Sequence, residues 1–473
     1  MSKVLLIKPR FLGLEFQVIT QPMGLLYIGA VLKAAGHEPR LHDCAADYRD
    51  LKILKKALED WRPEFIGISL IVVELEQTKK VMGIIREILP QTPVIFGGPW
   101  PSANPEESIR TLGADYVVLG EGEPVFPDLI AAINQGASTE TIPGTASLVN
   151  GQVRVNPGRY LTEAELDALP FPAWELLDNR LYARRPSFAT VGCRPYISVI
   201  TSRGCPYRCV YCHHTMGKVF RKRSVESVLS EMETLYFSYG FKEFEIIDDC
   251  FNLDRERMQA ILTGIANRLG KVKLHFPNGV RADILEPEDL ALFKAAGTVS
   301  ACYAIETSSP RLQKLIRKNL DIEKAVRAIN ASVRAGIYSV GFFMLGFPTE
   351  TYEEACDTVD FAARSSLHRA MFMLVTPFAG TELADITRDI LGQDESSFNP
   401  RYVNYFTNVV NISAMSDDQL HTVFQSAYKR FFLSPRRIWG LAMHHPRRLS
   451  LPRYAVVTLL KILPGRYNRE KNR

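Results

Sequence analysis

The stretch TSRGCPYRCVYCHHTMG, Thr201–Gly217, crowds three of the chain's eight cysteines together. Cys205, Cys209 and Cys212 follow a C-x3-C-x2-C spacing. Structural zinc wants four ligands around one ion. The neighbouring candidates, His213 and His214, adjoin Cys212 too closely for the usual second ligand pair. An odd count on one loop argues against a disulfide framework. The other cysteines, Cys44, Cys193, Cys250, Cys302 and Cys356, are scattered singly, as expected of reduced thiols that act as small core side chains. An iron–sulfur cube has four irons, ordinarily held by four cysteines. Three protein thiolates would leave one iron open to activate a small molecule, much as catalytic zinc keeps one position free. The loop therefore reads as the ligand set of a [4Fe–4S] cluster, with zinc and incidental clustering as the alternatives.

Such a loop needs a scaffold, and strand-like and helical runs alternate from Tyr196 onward. The strands read YISVITS, EFEIIDD, KLHFPNGV, SACYAIET, YSVGFFMLGF and RAMFMLVTP. Helical runs such as PEDLALFKAAG and DIEKAVRAINASVRAG lie between them. Six strand–helix units fall short of the eight that close a barrel, so a partial (β/α)6 TIM-type barrel is expected over residues 196–383. Reactive groups of barrels lie beyond the carboxyl ends of the strands. Cys205 falls there after the first strand, Asp248 and Asp249 after the second, Asn278 and Arg281 after the third, and Glu306 after the fourth. Simpler tasks compete. Either aspartate could cap the following helix, Arg281 could pair with Asp283 or Glu286, and Tyr211 could pack under the loop. Glu306 closes an apolar run, where an unpaired carboxylate is costly, so it calls for a polar partner or a ligand.

These residues, in this order, resemble the radical S-adenosylmethionine (SAM) superfamily. The three cysteines, with Tyr211 before the last, look like its signature. EIIDDCFNLDRER, NGVRAD, YAIETSSPRLQKLIRKN, GFFMLGFPTET and TPFAGTEL are similar to its segments on strands two to six. Thr307 and Ser308 depart from that family's ESGS segment, while Glu306 is kept. The resemblance covers about Tyr196 to Leu383. It implies an open iron that chelates SAM, and one-electron cleavage to methionine and a 5′-deoxyadenosyl radical that abstracts hydrogen. It also implies SAM contacts at Tyr211, Asp249, Asn278, Arg281 and Glu306, with His213 and His214 as bystanders. An electron donor such as flavodoxin or ferredoxin is implied as a partner.

Ahead of the barrel, KVLLIKP, EFIGISL, PVIFGGP and ADYVVLGEGE are nearly continuous apolar runs. The helical runs GLLYIGAVLKAAG and ELEQTKKVMGIIREILP separate them. Such runs predict an α/β domain, a doubly wound, Rossmann-like parallel sheet over residues 1–133. Ligands of these sheets bind at the carboxyl ends of the strands. Gly67, Ser69, Gly97, Gly98 and Gly122 fall there, where small residues let a large flat ligand approach the backbone. Joined to the barrel, this domain resembles the cobalamin-binding domain of a large radical SAM subgroup. That subgroup includes the anaerobic Mg-protoporphyrin monomethyl ester cyclase and hopanoid-methylase-like proteins. The resemblance rests on QPMGLLYIGAVLKAAGH, IGISL, VIFGGPWPSANPEE and DYVVLGEGE. It implies cobalamin contacts at Gly24, Gly67, Ser69, Gly97, Gly98 and Gly122. Trp100 stands where many relatives carry His. No Asp-x-His-x-x-Gly motif is present, so no such His would ligate cobalt from below. A degenerate domain that only covers the barrel mouth is the alternative. Residues 134–195, rich in Pro, Thr and Gly, read as a connector with short helices at most.

Residues 384–473 read as a helical, basic carboxyl-terminal region. Lys429–Arg473 carries twelve Lys or Arg against Glu470 alone, in a chain whose net charge is +5, so the remainder is acidic. Arginine pairs mixed with Trp, Phe, Leu and Ile suit peripheral contact with an anionic membrane face, against an ordinary helical cap with a solvated basic face. No basic–aromatic platform favours nucleic acid. No apolar run is long enough to span a bilayer, and the start reads as a strand and not a signal peptide, which predicts a cytoplasmic protein. With 46% apolar and 23% charged residues, the chain can bury a substantial core, which excludes disorder. The resemblance implies methylation of an unactivated carbon on a hydrophobic small molecule, of lipid, isoprenoid or tetrapyrrole type. Oxidative ring closure or rearrangement without methyl transfer is the alternative reaction. A non-catalytic cobalamin or iron–sulfur sensor is the alternative of another class.

Overall fold

Val4, Leu5, Leu6 and Ile7 are all buried, and this short apolar run forms strand β1 (Lys3–Lys8) of the first sheet. The structure is a computed structural model that describes residues 1–10, 19–46, 50–189, 191–213, 215–391, 410–452 and 455–456. The chain divides into two units, Met1–Arg185 with His213–Ser224, and Pro186–Cys212 with Val225–Arg473.

In the first unit, β1 lies between β2 (Glu38–Asp43) and β3 (Phe65–Ser69), followed by β4 (Val94–Gly97) and β5 (Tyr116–Val118). All these pairs are parallel, with Val4 opposite Phe65 and Ser69 opposite Gly97. The order 2-1-3-4-5 reverses direction between β1 and β3, and ligands of doubly wound sheets bind in the crevice at that switch. The helix Met23–Ala34 buries Leu25, Leu26, Ile28 and Leu32 at helical spacing. It stops before Gly36, whose φ of +81° suits glycine.

The connector differs from the sequence expectation. It contains two strands, β6 (Thr145–Val149) and β7 (Gln152–Val155), which continue the sheet in antiparallel fashion after β5. Asn150 and Gly151 join them with φ of +49° and +80°, the left-handed pair that a two-residue hairpin turn requires. Thr162 caps the short helix Glu163–Ala168, and its partner Glu165 completes a capping box.

In the second unit, β8 (Ile197–Val199), β9 (Glu243–Ile246), β10 (Lys273–Val280), β11 (Thr298–Glu306), β12 (Tyr338–Leu345) and β13 (Arg369–Leu374) pair in sequential order. All five pairs are parallel. Among the described residues β8 and β13 have no further strand partner. A sequential parallel sheet that stays open is a barrel with strands missing, and helices such as Arg255–Arg268 and Ile322–Arg334 connect its strands. Phe251, Phe276 and Phe293 pack together in its core, with the Phe276 and Phe293 rings 4.9 Å apart.

The described part of the carboxyl-terminal region is helical at Asp417–Phe432 and Pro435–His444. Tyr428 donates to the Phe372 carbonyl at 2.9 Å and so ties the first of these helices to β13. Two basic residues of the tail are taken up within the second unit. Arg437 donates to the carbonyls of Ala363 and Ser365, and Arg447 pairs with Glu243 at 2.8 Å. Leu433, Ile438, Trp439, Met443 and Leu449 remain exposed. Residues 457–473 lie outside the described residues. Among the described residues no helix is long and apolar enough to cross a membrane.

Candidate active site

The cysteine loop leaves the carboxyl end of β8. Asp248, wholly buried at the same end of β9, accepts from Thr201 N at 2.6 Å and from the hydroxyls of Thr201 and Ser202. Gly204, with φ of +80°, turns the chain into Cys205 and donates its N–H to Asp249 at 2.9 Å. Val210 anchors the far side. It is buried among Leu312, Ile316, Phe347 and Leu383, donates to the Ile316 carbonyl at 3.1 Å and accepts from Leu383 N at 2.9 Å. One apolar side chain among the cysteines thus fixes the loop to two other elements.

The three thiols influence one another. Cys212 shows surface to solvent, yet the protein packed round its thiol, and then neighbouring Cys209 and Cys205, push it up to about 12. Burial also raises Cys205. Thiols in this setting give up their protons only to a strong cation, which fits metal. Among the described residues no three His, Cys, Asp or Glu side chains converge as ligands of a single ion. A cube differs in this respect, because each thiolate takes its own iron.

Glu306 ends β11 in a left-handed conformation, φ +66°, and is 5% exposed. Its Oε1 accepts from the Tyr211 hydroxyl at 3.1 Å and from Lys318 Nζ at 3.0 Å. Its Oε2 is buried and has no hydrogen-bond partner among the described residues. A strained backbone and a half-satisfied buried carboxylate each cost about 1–3 kcal/mol. Both persist where a ligand is to complete the site. Burial, and then the Glu306 charge, push the Tyr211 hydroxyl well above its ordinary range, so it serves as a donor. Tyr211 also packs on Phe347, with ring centres 5.9 Å apart. Lys318 is a member of this cluster that sequence reasoning did not single out. Its only sequence signal was the Arg317-Lys318-Asn319 stop after a short helix.

Other expected SAM contacts are placed differently. The Arg281 guanidinium is bidentate to Asp283 at 2.8 and 3.1 Å and donates to the Lys318 and Asn319 carbonyls. It also lies 3.8 Å from the Tyr207 ring centre. These partners correct its assignment as a ligand contact: Arg281 clamps the 318–319 turn beneath the cysteine loop. Asn278 donates to the Asp248 carbonyl at 2.9 Å, and Asp249 is an exposed acceptor for Gly204 N. Neither aspartate caps the next helix. Asp254 does, accepting from Arg257 N at 3.0 Å. His213 is described and is lowered by burial, whereas His214 lies outside the described residues. Cys250 and Cys302 are buried, as expected of core thiols.

Glu350, in the GFPTET segment, is buried and accepts from Gly346 N and from Phe347 N at 3.0 Å. Burial raises it to about 8. Thr351 caps the helix Tyr352–Arg364. This segment therefore shapes the loop after β12 by backbone hydrogen bonds.

In the first unit, the glycines divide into two groups. A Cβ at Gly67 would meet the Phe126 ring at 2.9 Å and Leu6 at 3.0 Å, and one at Gly122 would meet Ile28 at 2.9 Å. Internal packing explains both, which corrects their assignment to cobalamin. Gly24 has nothing within 4 Å, and Gly97 has only the Val118 carbonyl at 3.8 Å. Gly98, φ +96°, lies against Ser69 and Leu70 at the same edge. Beside it, Trp100 is 8% exposed, and its indole Nε1 is buried without a partner among the described residues. An open edge next to an unsatisfied donor fits a large ligand that carries acceptors.

Two family models match the chain: the B12 binding domain over residues 9–130 and the radical SAM superfamily over residues 199–362. The chain is a radical SAM enzyme with a B12-binding domain. The cofactors that go with these two domains are cobalamin, a [4Fe–4S] cluster and SAM. This radical SAM chain is 29% identical over 430 residues to an uncharacterized methyltransferase of Pyrococcus horikoshii, covering 90% of each. It is 26% identical to the cytidylyl-2-hydroxyethylphosphonate methyltransferase of Streptomyces wedmorensis, covering 92% of this chain and 90% of that one. Its fold is similar to that of TsrM, a radical SAM methyltransferase from Kitasatospora setae solved with cobalamin and a [4Fe–4S] cluster bound. That likeness has a TM-score of 0.71 at 20% identity, over 94% of this chain and 90% of that one.

Proposed function

We propose that this enzyme transfers a methyl group from SAM to an unactivated carbon of a small molecule. The observation that carries the reading is the Glu306 carboxylate, buried beside the cysteine loop with Oε2 open. In this reading Cys205, Cys209 and Cys212 hold three irons, and Glu306 accepts from the SAM amino group. Tyr211 fixes the near face of that carboxylate. Gly24, Ser69, Gly97 and Gly98, with Trp100 as a donor, line the cobalamin edge. The bound cofactors would supply a 5′-deoxyadenosyl radical and a transferable methyl group. The related methyltransferases support methyl transfer over ring closure. The exposed apolar side chains along residues 433–449 favour a hydrophobic substrate met at a lipid surface. A donor such as flavodoxin or ferredoxin would supply the electron.

The test is anaerobic reconstitution with iron, sulfide and hydroxocobalamin, followed by SAM labelled in its methyl group and a reductant. The substrate source is an extract of a strain lacking the gene. Label should pass to a small molecule of that extract, with 5′-deoxyadenosine and S-adenosylhomocysteine as co-products. Formation of 5′-deoxyadenosine without label transfer would overturn methylation. Formation of neither product would favour a sensor.

A further inference from the structure

We propose that Lys318 is a positioning residue for SAM and acts through Glu306. The inference rests on the reading that Glu306 contacts SAM. Lys318 is 8% exposed, and its Nζ reaches Glu306 Oε1 at 3.0 Å and the Tyr211 hydroxyl at 3.3 Å. With Lys318 and Tyr211 both on Oε1, the carboxylate is turned so that Oε2 alone remains open. Two cations can then share one carboxylate, the lysine on one oxygen and a ligand ammonium on the other. Without the lysine, a buried carboxylate beside three cysteines would take up a proton and lose its attraction for an ammonium.

The backbone around Lys318 is built to hold it there. Arg317 and Asn319, on either side, both sit in the left-handed region, with φ of +52° and +49°. Non-glycine residues adopt that conformation in sequence only when surrounding contacts impose it. Those contacts are present. The Ile316 carbonyl accepts from Val210 N at 3.1 Å, and Lys318 N donates to the Gln313 carbonyl at 3.1 Å. The carbonyls of Lys318 and Asn319 accept from Arg281 at 3.0 and 3.2 Å. The Cys209 thiol lies 4.0 Å from the Arg317 carbonyl. The turn is thus fastened to the cysteine loop, and its one inward cation is aimed at Glu306.

The test uses full-length reconstituted enzyme without reductant, so that SAM binds and does not turn over. Equilibrium dialysis gives the SAM Kd, and the change in cluster absorbance on SAM addition gives a spectroscopic check. Lys318→Met should weaken SAM binding about tenfold or more, with iron content unchanged, as expected when one member of a buried charged pair is removed. Lys318→Arg should stay within about threefold, since it keeps the charge and the reach. In a Glu306→Gln background the added Lys318→Met change should cost almost nothing, because the lysine acts through that carboxylate. An equal loss in both backgrounds would make Lys318 a structural residue and overturn the proposal. So would a Lys318→Arg loss as large as that of Lys318→Met. Normal binding in Lys318→Met with weakened binding in Glu306→Gln overturns this inference alone. Unchanged binding in Glu306→Gln overturns the SAM contact itself.

Discussion

The two edges of the second sheet use buried charge in opposite ways. At the amino edge, Arg194 has no exposed side-chain surface and pairs with Glu243 at 2.8 Å and with Glu245. Lys273 and Arg447 reach Glu243 at 3.0 and 2.8 Å, and His275 lies 3.4 Å from it. These partners hold the Glu243 carboxyl well below its usual range against the opposing effect of its burial. Regular strand ends carry this network: Glu243 opens β9, Lys273 opens β10, and Arg194 lies just before β8. At the carboxyl edge, Glu306, Arg317, Asn319 and Thr349 all have positive φ. There Glu306 has one oxygen paired and one open. One edge closes its charges within regular backbone. The other stores strain and leaves an acceptor free, which is how a binding site differs from a structural brace.

That contrast predicts which loss each edge suffers. The largest effect on folding is expected from Arg194→Met. It strands two buried carboxylates and should cost about 3–5 kcal/mol of stability, read as the shift in denaturant midpoint of the metal-free chain. SAM affinity of the molecules that remain folded should be unchanged. Glu306→Gln should do the reverse. It should weaken SAM binding by about tenfold, or about 1.4 kcal/mol, while the denaturant midpoint holds or rises. If both variants lost stability and affinity alike, the two edges would not be distinct.

A smaller effect follows from acid. Burial lowers His275 to about 4, so it is neutral in the fold. The unfolded chain takes up a proton on this residue below about pH 6.5, and the folded chain does so only near pH 4. Stability is therefore complete above that window and falls as pH drops through it. His368 and His445, also lowered to about 4 by burial, act in the same direction. The thermal midpoint of the metal-free chain should fall by several degrees between about pH 7 and pH 5. His275→Gln should flatten part of that slope. An unchanged slope would remove His275 from the amino-edge network.

Much of this architecture was legible because it depends on local pattern. Continuous apolar runs marked the strands of both parallel sheets, and cysteine spacing marked the loop. The hairpin β6–β7 was legible as well, in Val149-Asn150-Gly151-Gln152. It was masked by the Pro- and Thr-rich sequence around it. The rest depends on partners far apart in sequence. Gly67 and Gly122 carry the same letter as Gly97, and only the side chains facing them separate packing from ligand space. Arg281 could be a ligand contact or a clamp until the 318–319 carbonyls are seen to accept from it. Lys318 reads as a surface lysine after a helix, and tertiary structure alone brings it to Glu306 across twelve residues of chain.

The central claim is that the carboxyl edge is a cluster and SAM site. The most direct measurement compares the reconstituted enzyme with a Cys205→Ala, Cys209→Ala, Cys212→Ala triple variant, both anaerobic with SAM and a reductant. The account predicts 5′-deoxyadenosine from the first, and neither cluster absorbance nor 5′-deoxyadenosine from the second. Cleavage of SAM that persists in the triple variant would contradict it.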